Sequence, residues 1–511
     1  MPVNFSESVL KQKSIIIITF FSLFIYLIIS YKLNIWVDES FTISATSAES
    51  FKDLLRRSIF FEGQPPFYFI IVFFWAKISN SVFFLRLLST LFTISSGLLL
   101  YKLYKKNSGT ADWLILILVF ANPFMIYLAT EIRCYSLVVL FSLLLILLFK
   151  KYYSIQNVPI LIRVIFILIS IAAVNTQYFI AFLLLSNAIY LLIKSYRKTF
   201  ITYLVDMCFV LISISWVPFF ITKQIDILLY KDVTIGLKDL LRFVPGRFND
   251  YIFNRHLFPN WIFGYFLQAI IILAILLNLF FKRRIRIFIS NNLYLFVQSI
   301  SISFCFLIVY IKLGDEFLSI RHTAILFPII FLLFLRSFDY FQNRYFKGLL
   351  IFTVFSFYFI CSFNYYNLFV KDFDVIGSVE YLTKNSKENQ PIIIINNQLA
   401  LPFLYYFNKR NETYVLPYVV NDSTGFSYIN LKKPFKREEI EKLLLKISKN
   451  NSFWILNFVK PEIYDKYFTT IIEILNNKYS LESDTIIVDP KKLRSFKDLQ
   501  IRKFKINEFI D

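Results

Sequence analysis

Histidine is almost missing from this chain. Only His256 and His322 occur among 511 residues, and neither sits in a zinc-ligand spacing, which excludes a histidine-built zinc site. Cysteine is scarce too: Cys134, Cys208, Cys305 and Cys361 include no CxxC, and three of the four lie inside apolar runs. That excludes a disulfide framework and a thiolate metal site. Charged residues are thin at 17%, where soluble domains carry about 25%. The period-2 alternation of a membrane β-barrel is absent. The first apolar run, Ile15 to Tyr31, lacks a small-residue cleavage site and reads as a retained anchor, not a signal peptide. No short-period repeat is seen, and residues 371–511 hold no nucleotide-binding glycine motif.

What is present is hydrophobic: 57% of residues, with 20% aromatic and a mean hydropathy of +0.60. A spanning helix takes roughly 20 apolar residues. Runs of that kind recur from Ile15 to Val370. The chain therefore reads as a polytopic α-helical membrane protein, with about eleven spans and a re-entrant or juxtamembrane helix. Its net charge of +21 comes from Lys and Arg clustered between the spans, so topology explains it and nucleic acid need not.

Lys11 and Lys13 place the N-terminus in the cytoplasm, and the first span delivers Asp38-Glu39 to the outer face. Residues 40–64 are amphipathic and suit a helix along the interface. Pro65 to Ile78 is only about 14 residues long, too short to cross. If it stays on one side, Lys102–Lys106, Lys150-Lys151, Lys194–Lys198, Lys282–Arg286 and Arg336–Lys347 all fall inside. The stretches 130–133, 175–177, a long loop at 222–260 and 313–321 then fall outside, with the tail. The protein is thus expected in the cytoplasmic membrane, with residues 1–370 as a transmembrane domain. Residues 371–511 alternate strand-like runs (391–396, 453–458, 485–488) with the helical spacing of 436–449, which suggests an extracytoplasmic α/β domain.

Three polar stretches are expected to meet at one membrane face and form an active site. The first is Asp38-Glu39, an acidic pair that can act as general base or hold a cation. The second is Glu62-Gly63-Gln64-Pro65-Pro66-Phe67-Tyr68, where Pro-Pro sets a helix entrance and Glu62 can join the acids. Just before it, Arg56 and Arg57 suit either phosphate or a plain interfacial role. The third is Glu131-Ile132-Arg133, which offers a carboxylate for the acceptor and a guanidinium for bidentate phosphate binding, or simply a local ion pair. Arg321, opening a later span, is a phosphate clamp or a snorkelling side chain. Gln177, before Tyr178, reads first as a polar helix cap.

In order and spacing, Asp38-Glu39, Gly63–Tyr68, Asn122-Pro123-Phe124 through Leu137, and Arg321 to Pro328 resemble the GT-C fold glycosyltransferases. The similar group is the bacterial relatives of protein O-mannosyltransferases and lipid A aminoarabinose transferases. The resemblance implies a polyprenyl-phosphate sugar donor used outside the membrane and an inverting transfer to a lipid, glycan or protein acceptor. It implies Asp38 as base or acceptor-positioning group, with Glu39 beside it and Glu131 as the second-loop acid. Arg133 follows Glu131 as in the family, and with Arg321 is a candidate for the donor phosphate. Gln64, Pro65, Pro66, Tyr68, Gln177 and Tyr178 would position substrate. Many relatives have His-Tyr where this chain has Gln177-Tyr178, so an acid/base or metal role there does not carry over. No cofactor is implied with certainty; a divalent metal ion would fall to Asp38, Glu39 and Glu131. The reading from another class is a transporter or flippase of lipid-linked saccharides, which would show matching halves and midplane charges. Here the acids fall at the outer interface.

Overall fold

Helices dominate because a chain in hydrocarbon must pair every backbone N–H and C=O within its own segment. The structure, a computed structural model, describes residues 5–104, 112–156, 158–217, 237–254, 257–281, 284–313, 319–368 and, in segments, 373–506. Expectations resting on Lys105, Lys106, 222–236, His256, Lys282, Arg283, Asp315 and Glu316 lie outside the described residues.

Among the described residues, six helices are long and apolar enough to cross a membrane: Gln12–Lys32, Val82–Tyr104, Tyr135–Ile155, Ile262–Phe280, Leu293–Lys312 and Arg344–Tyr365. Phe67–Ala76, Ile160–Val174 and Ile180–Ile193 are shorter apolar helices. Two differences from the hydropathy pattern matter. The run read as one span from Asp112 to Leu128 breaks into helices Asp112–Ala121 and Pro123–Ala129. Asn122 causes the break: its Oδ1 accepts from the N–H of Phe124 at 2.9 Å and of Met125 at 3.3 Å, and Pro123 opens the new helix. Residues read as part of a long loop form the helix Leu237–Ile252. The apolar positions Leu237, Leu240, Leu241, Val244, Phe248, Tyr251 and Ile252 carry a helical period that the interspersed charges mask.

The chain divides into two compact units: Met1–Tyr31 with Thr46–Asn367, and Lys32–Ala45 with Leu368–Asp511. In the first, helix Val82–Tyr104 serves the ends of two neighbours. Arg86 Nη1 donates to Ser30 O at 2.8 Å, and Thr90 Oγ1, one turn on, donates to Ala129 O at 2.9 Å. Both carbonyls belong to last helical turns, which lack intrahelical partners. Gly97 of the same helix lies under Phe120, where a Cβ would stand 2.3 Å from the ring. Asp206 is fully buried and is bound by Arg163 Nη2 at 2.6 Å and by the Tyr153 hydroxyl.

The second unit holds a five-stranded mixed sheet of β1 (Ile392–Ile395), β2 (Thr413–Leu416), β5 (Ser452–Phe458), β6 (Tyr479–Ile487) and β7 (Leu499–Ile506), in the order β2-β1-β5-β7-β6. Strand β1 pairs in parallel with β2 and β5, while β7 runs antiparallel to β5 and β6. A two-stranded ribbon, β3 (Val419–Asn421) with β4 (Ser427–Ile429), stands apart from the sheet. All four isoleucines of β1 are buried because they alternate between two cores. Ile392 and Ile394 pack with Leu399, Phe403, Trp454 and Leu456; Ile393 and Ile395 pack with Leu444, Ile447, Phe453 and Ile455. A strand covered on both faces reads as continuously apolar, as this one does.

Candidate active site

Within the first unit the site grows from helix ends. Ser50 caps helix Phe51–Arg56 by accepting from Asp53 N at 3.2 Å, and a π-helical turn, Arg57–Phe61, follows. The Arg57 Nη2 lies 2.7 Å from Asp53 Oδ2, so this arginine is bound one turn back along its own helix. Arg56 is half-buried. Gly63, at φ 64°, takes the left-handed conformation that a side chain resists, and turns the chain into Gln64 and the buried Pro65. Pro66 then starts helix Phe67–Ala76, in which Tyr68 is 1% exposed.

That turn is tied to the Glu131–Tyr135 stretch. Arg133 Nη1 meets Glu62 Oε2 at 3.0 Å, with both side chains no more than 7% exposed. Cys134 Sγ lies 3.7 Å from Gln64 Oε1. Glu131 is 1% exposed beside them in sequence, at the end of the short helix that Asn122 begins. On its other side the turn holds the 175–178 stretch, as Phe67 N–H donates to Asn175 O at 2.9 Å. Gln177 is buried and its Nε2 donates to His322 O at 3.4 Å; Tyr178 is half-buried.

His322 closes the circuit. Its ring stands edge-on to Tyr135 at 6.0 Å between centroids, and its Nδ1 is 3.1 Å from Ser319 Oγ. Arg321 Nε donates to the same hydroxyl at 3.1 Å. Tyr251 secures this loop from below in sequence, donating to Ile320 O at 3.0 Å and bonding Thr323, while Asn122 Nδ2 donates to Tyr251 O at 3.0 Å. Four loop stretches far apart in sequence are thus joined end to end: 62–67 to 133–135, 135 to 322, 322 to 177, and 175 back to 67. Glu62, Gln64, Arg133, Gln177 and Arg321 are brought into one neighbourhood. Sequence reasoning set His322 aside for want of a metal spacing, and gave Cys134 and Asn175 no role; only a long-range contact could have found them.

The first stretch belongs to the second unit. Asp38 and Glu39 occupy the first turn of helix Val37–Thr46, where the exposed N–H groups and the helix dipole favour carboxylates. The two acids differ in surroundings: Glu39 is fully buried and Asp38 is half-buried. Among the described residues, no group of three or more His, Cys, Asp or Glu side chains gathers as a metal centre would need.

No family model matches the chain, and no curated protein sequence does. Solved structures do. ArnT from Cupriavidus metallidurans in the apo state aligns with a TM-score of 0.56 at 9% identity, over 96% of this chain and 98% of that one. The same protein bound to undecaprenyl phosphate aligns with a TM-score of 0.51 at 10% identity, over 96% and 97%. ArnT is a lipid A aminoarabinose transferase, the group the sequence motifs resemble. The chain is a polytopic α-helical membrane protein with a C-terminal α/β domain, and over 96% of its length it shares the fold of ArnT.

Proposed function

We propose that this protein is a membrane glycosyltransferase that moves a sugar from a polyprenyl-phosphate donor to an acceptor on the outer face of the cytoplasmic membrane. The acceptor hydroxyl attacks the anomeric carbon, the bond from that carbon to the phosphate oxygen breaks, and configuration inverts. Asp38 takes the hydroxyl proton; polyprenyl phosphate leaves with the electron pair. A phosphate departs readily, so the protein's contribution is chiefly positioning and charge stabilisation. Arg133 and Arg321 are the cations for the donor phosphate. Glu39 orients the helix end and Glu131 faces the acceptor.

The observation that carries this reading is the closed chain of loop contacts around Arg133 and His322, in a fold shared over 96% of the chain with a protein solved with undecaprenyl phosphate. The experiment compares envelope lipids and glycans by mass spectrometry in cells with the protein, without it, and with Asp38→Asn. Loss of one sugar modification without the protein, repeated by an inserted and folded Asp38→Asn, is the expected result. Identical glycans in all three, together with no binding of undecaprenyl phosphate by the purified protein, would sink it.

A further inference from the structure

A four-residue strap, 33–36, links the first membrane helix to the helix that carries Asp38 and Glu39. Three of its four residues are buried: Leu33 is 4% exposed, Asn34 1% and Ile35 0%, while Trp36 is half-buried. Backbone groups buried outside helix or sheet need partners from elsewhere. Here the α/β domain supplies one such partner and takes a side-chain bond from the strap in return. Ile35 N–H donates to the Tyr406 hydroxyl at 2.9 Å. Asn34 Nδ2 donates to Phe373 O at 3.1 Å and to the neighbouring Ile35 O at 3.1 Å. Both anchor residues are themselves fixed. Phe373 is fully buried in the core under the sheet, its ring 5.4 Å from that of Phe458 in β5. Tyr406 ends helix Asn397–Tyr406 and packs on the same core.

We propose that the α/β domain is the positioning device of the acidic pair, with Tyr406 and Asn34 as its positioning residues. The strap has no glycine, and its fixed path sets where helix Val37–Thr46 begins and therefore where Asp38 projects. A domain that merely decorated the membrane unit would have no reason to furnish the hydrogen bonds of a strap so remote in sequence. The inference rests on the role proposed above for Asp38.

The test uses the full-length protein in lipid nanodiscs. Hydrogen exchange is followed in peptides covering 33–46 for wild type, Tyr406→Phe and Asn34→Ala. One lost hydrogen bond is expected to speed exchange of the Ile35 amide and the following helical turn by about tenfold, with β1 and β5 still protected. The same variants should keep binding of undecaprenyl phosphate and lose sugar transfer by about tenfold or more, since small misplacements at a reacting centre are costly. Wild-type exchange in both variants overturns the proposal; so does faster exchange with wild-type transfer. Asp38→Asn separates the two levels. Full transfer by Asp38→Asn removes the catalytic role of Asp38, while the exchange result still decides whether the domain anchors the strap.

Discussion

Arg133 is paired with Glu62, 71 positions earlier in the chain, across 3.0 Å and with both side chains largely buried. The local partner that the sequence offers, Glu131, stands two residues away. Pairing across loops fixes the guanidinium in space, which a local pair would not. Removing one member of a buried pair strands the other charge at a cost of about 3–5 kcal/mol, whereas removing both is much cheaper. Glu62→Ala and Arg133→Ala should each lower the unfolding temperature sharply, and the double variant should recover part of the loss. A double-mutant cycle of thermal unfolding in detergent measures this; additive losses would show that the contact carries no coupling.

Asn122 performs two tasks at once, capping helix Pro123–Ala129 through Oδ1 and donating through Nδ2 to Tyr251 O and Tyr358 Oη. Asn122→Asp keeps the cap and removes the donors; Asn122→Ala removes both. An N-cap is worth about 1 kcal/mol and a stranded buried acceptor about 1–3 kcal/mol. Denaturant unfolding should place Asn122→Ala about 2 kcal/mol or more below wild type. Indifference to that change would contradict the account of the broken span.

Gly97 admits no side chain while Phe120 keeps its place. Gly97→Ala should destabilise the membrane unit by about 1–3 kcal/mol, the usual penalty for overpacking. Shrinking the opposing ring in Gly97→Ala/Phe120→Leu should restore part of it. Fluorescence-detected size-exclusion after heating distinguishes the variants, and a single variant as robust as wild type would refute the close approach.

Asp206 is wholly enclosed, with Arg163 and Tyr153 as partners. Arg163→Ala should cost more than Asp206→Ala, because it strands a fully buried carboxylate, whereas Asp206→Ala strands an arginine that is 26% exposed. Tyr153→Phe, which removes one hydrogen bond, should cost about 1 kcal/mol. Proteolysis rates in nanodiscs supply the ranking, and a reversed order would rule the account out.

Elements with strong periodicity could be read before folding. Val82–Tyr104 and Trp261–Phe281 begin and end where hydropathy says, and β1 announces itself as four isoleucines. Helix Leu237–Ile252 was hidden because its charges break up the apolar runs that mark a span. Strand β7 was missed since the adjacent charges Arg502 and Lys503 break the period-2 alternation that Leu499, Gln500 and Ile501 begin. At the site, the chemistry-bearing residues were visible as types, but their partners were not. Nothing local links Gln177 to His322, or Ile35 to Tyr406; such pairs are set by tertiary packing, which no short window contains.

Strand β7 is the last described strand, yet it lies between β5 and β6, so the sheet cannot be completed until that segment has been synthesised. The Ile35 amide meets its hydroxyl partner 371 residues downstream. The helix that carries Asp38 and Glu39 is therefore made early, and its strap waits for this partner until most of the chain has been synthesised. Contacts of such long sequence separation form late. A chain cut short before β7 would keep its long apolar helices and lack the strand that joins β5 to β6.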